Sequence, residues 1–238
     1  MTLQESALMR IVRGIPVALD SIDRGAHADS GCGSFARPHG PVQDAVVEQP
    51  PTALRQIGDS AVAMFDDTLA GHWDDVSAEL KGIDQRLSEL PANLPFPDVV
   101  AVMHDRIRSL RQDVPAHDTL AVLNDANALT RLGTQIADGF EVTVPFEVAI
   151  LPYFGRQLEI GAMSESLIRL RQISRDLRAM WMRAEPMVLM RGDTADARRF
   201  TDIVVDLESA RSPSDFKRLA KTELDAAGSL SRRFESGG

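Results

Sequence analysis

The stretch FDDTLAGHWDDVSAELKGIDQRLSEL, residues 65–90, decides the fold. Its apolar residues Phe65, Leu69, Trp73, Val76, Leu80, Ile83, Leu87 and Leu90 recur every three or four positions. At 3.6 residues per turn that spacing returns all of them to one side of a helix, whereas a strand needs strict alternation. The pattern predicts one long amphipathic helix with a buried stripe and a charged outer face. Pro91, Pro95 and Pro97 end it, because proline brings no N–H and its ring crowds the preceding turn.

The same rhythm continues downstream. Asp98 is placed to cap a second helix reaching Leu110, with Val99, Val102, Met103, Ile107 and Leu110 inward. Pro115 and Asp118 mark a third start, and Leu120, Leu123, Leu129, Leu132 and Ile136 carry it to Gly139. Val142, Val144, Phe146, Val148 and Ile150 alternate as a strand would, but Pro145 interrupts any ladder and no partner strand exists. A loop into a helix from Pro145 or Phe146 is the preferred reading, with Pro152 kinking or restarting it. Phe154, Leu158, Leu167, Leu170, Ile173, Leu177 and Trp181 form the next long stripe, ended by Pro186 and Gly192. Asp193 caps a helix carrying Ala197, Phe200, Ile203, Val204 and Leu207. Ser212-Pro213 opens the last one, with Phe216, Leu219, Ala220, Ala227, Leu230 and Phe234.

The fold class is therefore all-α: an antiparallel helical bundle of about six helices in a single domain over 52–236, since short loops favour antiparallel neighbours. Its expected core includes Trp73, Leu80, Ile83, Leu170, Ile173, Leu177 and Trp181. A shift of 90 residues lays Gly71 on Gly161, Leu80 on Leu170, Ile83 on Ile173 and Leu87 on Leu177. A duplicated helical unit is one explanation. Coincidence is the favoured one, since all amphipathic helices share a period.

Residues 1–51 read differently. They hold five of the 13 prolines and the breaker-rich run GAHADSGCGSFARPHGP (25–41). So little apolar surface does not offset the entropy of ordering, which predicts a poorly ordered arm. Met9 to Leu19 begins like a secretory leader, but Asp20 and Asp23 break the apolar run, and Asp29 precedes Cys32 where a lipid-modified cysteine wants an apolar residue. A flexible tail and a degraded leader are the two readings.

Composition narrows the classes. One cysteine among 238 residues excludes an intramolecular disulfide framework and Cys-rich metal centres. No uncharged apolar run is long enough to span a bilayer. The net charge of −9 argues against a sequence-independent hold on nucleic acid, which depends on neutralising phosphates. Residues 41–151 carry 18 acidic and 7 basic side chains, whereas 152–190 carry 4 and 6, so helices of opposite sign are expected to face one another.

The stretch Tyr153-Phe154-Gly155-Arg156-Gln157-Leu158-Glu159-Ile160-Gly161, followed by a helix ending at Trp181 and then Pro186, resembles uncharacterised bacterial envelope proteins of a lipoprotein-like, helical-bundle type. The resemblance covers about 60–235. It implies a bundle fold and a periplasmic or envelope setting rather than an activity.

No nucleotide-loop, metalloprotease, nucleophile-elbow or CxxC motif occurs, and no Glu-x-x-His. The expectation is a non-enzymatic interaction or structural module that meets a protein partner or a second copy of itself. A metal-handling alternative rests on Met180, Met182, Met187 and Met190 beside Trp181, with Met180, Met187 and Met190 as Cu(I) ligands through their soft thioethers. Core filling is the favoured role for those methionines. His72, His104 and His117 are a further, weaker set for zinc or copper. Arg171, Arg175 and Arg178 share a helix face and suit an anion or acidic partner; pairing with Asp67, Asp74 and Glu79 on a neighbouring helix is the default. A helical enzyme with Asp and Arg residues converging in a groove is the remaining class.

Overall fold

The structure, a computed structural model, describes residues 49–236. The expectations for the arm, including Cys32 and the leader-like start, fall outside the described residues. Within them the chain is helical throughout, with no strand. The helices are α1 (Thr52–Ala70), α2 (Trp73–Leu87), α3 (Pro97–Asp113), α4 (Thr119–Ala137), the single turn α5 (Phe146–Ala149), α6 (Leu151–Met163), α7 (Leu167–Met190), α8 (Thr194–Ser209) and α9 (Pro213–Ser236). Among the described residues the count of about six is thus corrected to eight helices of 13 to 24 residues plus one four-residue turn.

The two extra breaks fall inside the two longest apolar stripes. At the first, Gly71 takes φ +77° and its N–H reaches Thr68 O, while the His72 N–H reaches Asp67 O. This is the Schellman closure that a residue without Cβ adopts at low cost. The apolar rhythm runs on across it, because periodicity records which residues face a core and not whether the axis continues. At the second, Glu165 takes φ +53° and Ser166 caps α7 by accepting the Arg169 N–H at 3.4 Å.

Other boundaries follow from capping chemistry. Asp118 accepts the Ala121 N–H at 3.1 Å, as its position predicts. Ser212 and Asp215 form a reciprocal box: the Asp215 N–H donates to Ser212 Oγ at 3.2 Å and the Ser212 N–H to Asp215 Oδ2 at 3.0 Å. The Ser212 hydroxyl, donating to Asp215 Oδ2 at 2.7 Å, and the Arg211 and Ser212 N–H groups hold the Asp215 carboxyl below its usual range. Asp98 is not a cap: α3 begins one residue earlier with Pro97 at its start and Phe96 at the cap, leaving Asp98 to interact with the helix dipole in the first turn. Asp193 occupies the cap of α8 without a side-chain cap bond. Pro186 does not end its helix but lies inside α7, on an exposed position, so the unpaired carbonyl of Met182 four residues back can turn to water.

The buried side chains form two clusters. One is built from α1 to α4, with Ile57, Met64, Phe65, Ile83, Met103, Ile107, Leu123 and Leu129 fully enclosed. The other is built from α5 to α9 around Leu158, Leu177, Trp181, Phe200 and Phe216. In the first, α1 packs on α2 and α4, and α3 on α4; in the second, α6 packs on α7 and α9, and α8 on both α7 and α9. Contact between α4 and α6 joins them, and Ile160 of α6 belongs to the first cluster. Six of the seven expected core residues are buried; Trp73 is half-buried at the edge.

Candidate functional site

Met180 is buried in the second core, Met187 is half-buried against it, and Met190 is 81% exposed at the end of α7. The three proposed soft ligands thus sit in three different environments. Arg171, Arg175 and Arg178 are all exposed on one face of α7. Their expected pairing with Asp67, Asp74 and Glu79 is not made, because α7 touches neither α1 nor α2. Arg178 pairs instead with Glu208 of α8, and Arg175 Nε donates to the Arg171 carbonyl at 3.3 Å. Of the three histidines, His104 is exposed on α3, whereas His117 stacks on Trp73, the residue that follows His72.

That corner follows from the Gly71 break. The turn puts Asp67 in the last turn of α1, His72 at the cap of α2 and Asp75 in its first turn. One ligand atom of each lies within 4.8 Å of the others, and His72 Nδ1 is 3.7 Å from Asp67 Oδ1. His72 and Asp75 edge a shallow concavity of about 370 Å³ lined by Gly71 to Asp75. The His117 ring stacks on Trp73 at 4.4 Å, with His117 itself at φ +52°. One imidazole nitrogen and two carboxylates is a donor set of the zinc type.

A polar junction lies where α4 and α6 meet. Asn127, fully buried, donates to the Tyr153 carbonyl at 3.1 Å. Arg131 lies over the Tyr153 ring at 5.9 Å and donates to Gln135 Oε1 at 3.0 Å. Arg169 donates to Asn124 Oδ1 at 3.1 Å and Gln157 Oε1 at 3.2 Å. Arg106 pairs with the buried Asp125 at 3.0 Å. Burial raises the Tyr153 phenol against the pull of Arg131 and Arg169, and lowers both guanidiniums.

A second polar group is sealed in the α6–α9 contact. Glu223 is 0% exposed, and neither carboxylate oxygen has a hydrogen-bond partner. Burial holds its carboxyl well above the ordinary range, Arg156 opposing and Glu159 adding to the rise. Arg156 Nε is likewise buried without a partner, and burial lowers that guanidinium despite Asp66, Glu223 and Glu159. Buried groups of this kind are rare in folded proteins.

Neither junction was drawn from the sequence. Glu223 left a visible trace: it falls on the α9 stripe midway in the gap between Ala220 and Ala227, where an apolar residue is due. Arg131 and Tyr153 left none, since their meeting depends on how α4 and α6 cross. No family model, curated protein or solved structure matches the chain.

Proposed function

We propose that the chain is a non-enzymatic helical module whose work is contact with another protein. The observation that carries this reading is an apolar seam outside both completed cores. On α7, Met182 (65% exposed) lies between Arg178 and Glu185 on the side turned to α8. On α8, Val205 (52% exposed) lies between Thr201 and Glu208, the residues that meet Glu185 and Arg178. The exposed Pro186, Leu189 and Met190 extend the seam toward the end of α7, and Arg171 and Arg175 extend it the other way. Apolar side chains in a row with a basic end fit an amphipathic segment carrying acidic residues. A second copy of the chain is one source of such a segment.

Sedimentation velocity over a range of concentrations tests the second copy. A photocrosslinker at position 182 tests any other partner, with Arg108 on the exposed side of α3 as the control position. A discrete product from 182 that is lost on Arg171→Glu/Arg175→Glu, with unchanged thermal stability, supports the reading. A monomer that gives no product at 182 sinks it.

The envelope setting implied by the resemblance belongs to the same proposal, and cell fractionation checks it. No helix among the described residues is long and apolar enough to cross a membrane. Copper handling through Met187 and Met190 is the weaker proposal; native mass spectrometry with Cu(I) and Zn(II) distinguishes an adduct lost in Met187→Leu/Met190→Leu from one lost in His72→Ala.

We also infer that the helices form two antiparallel four-helix bundles derived from one duplicated unit. The helix starts support it: Thr52, Trp73, Pro97 and Thr119 correspond to Leu151, Leu167, Thr194 and Pro213, at offsets of 99, 94, 97 and 94 residues. At an offset of 97, buried Leu54, Ile57, Met103, Ile107 and Leu110 meet buried Leu151, Phe154, Phe200, Val204 and Leu207. At 94, Val76, Ala126 and Ile136 meet Leu170, Ala220 and Leu230. The 90-residue shift is displaced from these, since it sets the end of α1 (Gly71) on the interior of α6 (Gly161). A homologue with a single unit that folds as a symmetric dimer supports the inference; a homologue in which the two sets of loops have unrelated offsets undoes it.

A further inference from the structure

We propose that the α6–α9 contact is a proton-operated latch: it closes on the neutral form of Glu223, and loss of that proton releases α9 from the second core. The inference does not rest on the α7–α8 seam. It starts from enclosure. Glu223 is 0% exposed, and neither Oε1 nor Oε2 meets a donor. Oε2 is packed so closely on Gly155 that a Cβ there would lie 2.1 Å from it. A neutral carboxyl is tolerated in such a place at the cost of an unmade hydrogen bond. A carboxylate costs far more there, since neither water nor a donor offsets the loss of its hydration. The ionised group has to reach water, and α9 has to move for it to do so.

The surrounding charges do not offer an easier way. Those that act on Glu223 are Arg156 and Glu159, both on α6. Glu159 opposes the ionised form. Arg156 favours it but makes no hydrogen bond to it. The Arg156 guanidinium instead lies over the Phe65 ring of α1 at 5.8 Å, and Asp66 and Glu159 draw on it as well. Lys217 and Lys221, on α9 itself, act on Glu159. The charges that α7 and α8 bring to α9 meet its far end: Arg191 donates to the Arg233 and Phe234 carbonyls, and Asp196 pairs with Arg233 at 3.4 Å. That end lies about 15 Å along the helix from Glu223. Glu147, on α5, is not among the charges acting on Glu223.

The connectivity makes α9 the element that moves. It is the last helix described, and among the described helices it packs on α5, α6, α7 and α8 and on none of the first four. The first cluster takes no side chain from it. Its release bares Phe216, Leu219, Ala227, Leu230 and Phe234, the stripe that it buries in the closed form. Opening one terminal helix in this way takes less free energy than unfolding the whole chain.

Linkage fixes how opening depends on pH. Glu223 in the released helix titrates near the ordinary 4.5, and in the closed contact well above it. Between the two, the open form has lost a proton that the closed form keeps, so opening grows about tenfold per pH unit. Below 4.5 both forms are protonated and opening is constant. Native-state amide exchange of the full chain in low urea reads it, with each rate corrected for the pH dependence of an unstructured peptide. Protection in α9 is expected to fall about tenfold per pH unit above about pH 4.5. It should respond weakly to urea, as a local opening does, and lie below the protection of the slowest amides in α1 to α4. Glu223→Gln loses most of that pH slope and keeps the share that Glu159, half-buried and also raised, contributes. Infrared spectra in deuterated buffer give a second readout: a protonated carboxyl that persists above the pH at which exposed carboxyls have ionised, and that is missing in Glu223→Gln. A parent chain without that band overturns the proposal before any variant is made. So does protection in α9 that ignores pH, which means that Arg156 swings to the carboxylate and holds the contact shut. Exchange in α9 with the protection and urea response of the slowest amides in α1 to α4 also overturns it, because the chain then opens as a whole. An unchanged slope in folded Glu223→Gln assigns the proton to another group and does the same.

Discussion

Gly155→Ala is the substitution on which the description of the α6–α9 contact stands or falls. A Cβ at that position would lie 2.1 Å from Glu223 Oε2, 2.7 Å from Leu224 Cγ and 2.8 Å from Leu224 Cδ2. Ordinary contact begins near 3.4 Å, so α9 must retreat or the buried Glu223 and half-buried Leu224 must leave their rotamers. Glu223 is fully enclosed and Leu224 Cγ is a branch point, so neither atom is a loose end. In the middle of a helix alanine is worth about 1 kcal/mol over glycine. Overpacking a close-packed interface costs about 1–3 kcal/mol and more when backbone must move. With two atoms inside 2.8 Å the upper part of that range applies, for a net loss of about 1–2 kcal/mol. For a chain of this size each kcal/mol lowers Tm by about 2–4 °C. Urea unfolding with a common m-value and a calorimetric Tm measure it. Glu223→Ala in the same chain removes the nearest atom but not Leu224, so the double variant recovers part of the loss rather than all of it. A Gly155→Ala protein as stable as the parent would mean that the helices do not approach this closely.

Gly58→Ala is expected to do the opposite. A Cβ there meets nothing within 4 Å, so the helix gains about 0.5–1 kcal/mol and Tm rises by urea or thermal measurement. Trp181→Ala removes a 3% exposed ring that packs on Phe200 at 4.4 Å and donates to Thr201 at 3.0 Å, which should cost about 3–5 kcal/mol in urea unfolding; a loss under about 1 kcal/mol would place the ring at the surface. Glu223→Gln changes the pH profile of Tm. A carboxyl whose folded value lies above its unfolded one stabilises most fully below the unfolded value near 4.5 and loses that contribution as pH rises toward the folded one. The parent chain therefore loses stability from about pH 4.5 upward relative to Glu223→Gln, and parallel profiles would show that Glu223 ionises as in water.

The helical class was legible because burial writes itself into spacing. Leu80, Ile83, Leu170, Ile173 and Leu177 are buried as their three-and-four rhythm requires. The helix count was not, because Gly71 and the 164–166 turn redirect the chain without interrupting that rhythm. Pro186 misled for the converse reason: a proline ends a helix only where the orphaned carbonyl has no other partner, and at an exposed position water supplies one. Caps were read well where the side chain can reach its own N–H groups, as at Asp118 and Ser212, and poorly at Asp98, where Pro97 set the start. The candidate sites were the least legible part. Met180, Met187 and Met190 are near in sequence but divided between core and solvent. Arg131, Tyr153 and Arg169 are far apart in sequence, and only the crossing of α4, α6 and α7 gathers them.

Under the duplication proposed above, Glu223 stands where the first half has a leucine. At the offset of 94 residues its counterpart is Leu129, and at 97 the counterpart of Gly155 is Gly58; Leu129 is fully buried, and the space at Gly58 is open. A leucine enclosed at such a place contributes about 1.5–3 kcal/mol by its burial. Position 223 forgoes that and encloses a carboxyl whose two oxygens lack partners, which costs a further 1–3 kcal/mol or so even when the group is neutral. A packing fault of that size is readily removed by a single substitution to leucine or methionine. Among the described residues the positive charge that acts on it is Arg156, which is itself buried with an unpartnered Nε and is drawn on by Asp66 and Glu159 as well. Acid and base thus act on one another only through their charges, with no hydrogen bond between them. Glu223→Leu should then raise stability only if Arg156 is replaced with it, by methionine for instance, because the single change strands the guanidinium in an apolar contact. A stabilised Glu223→Leu single variant would show that Arg156 reaches water by another route and that the two groups are not coupled.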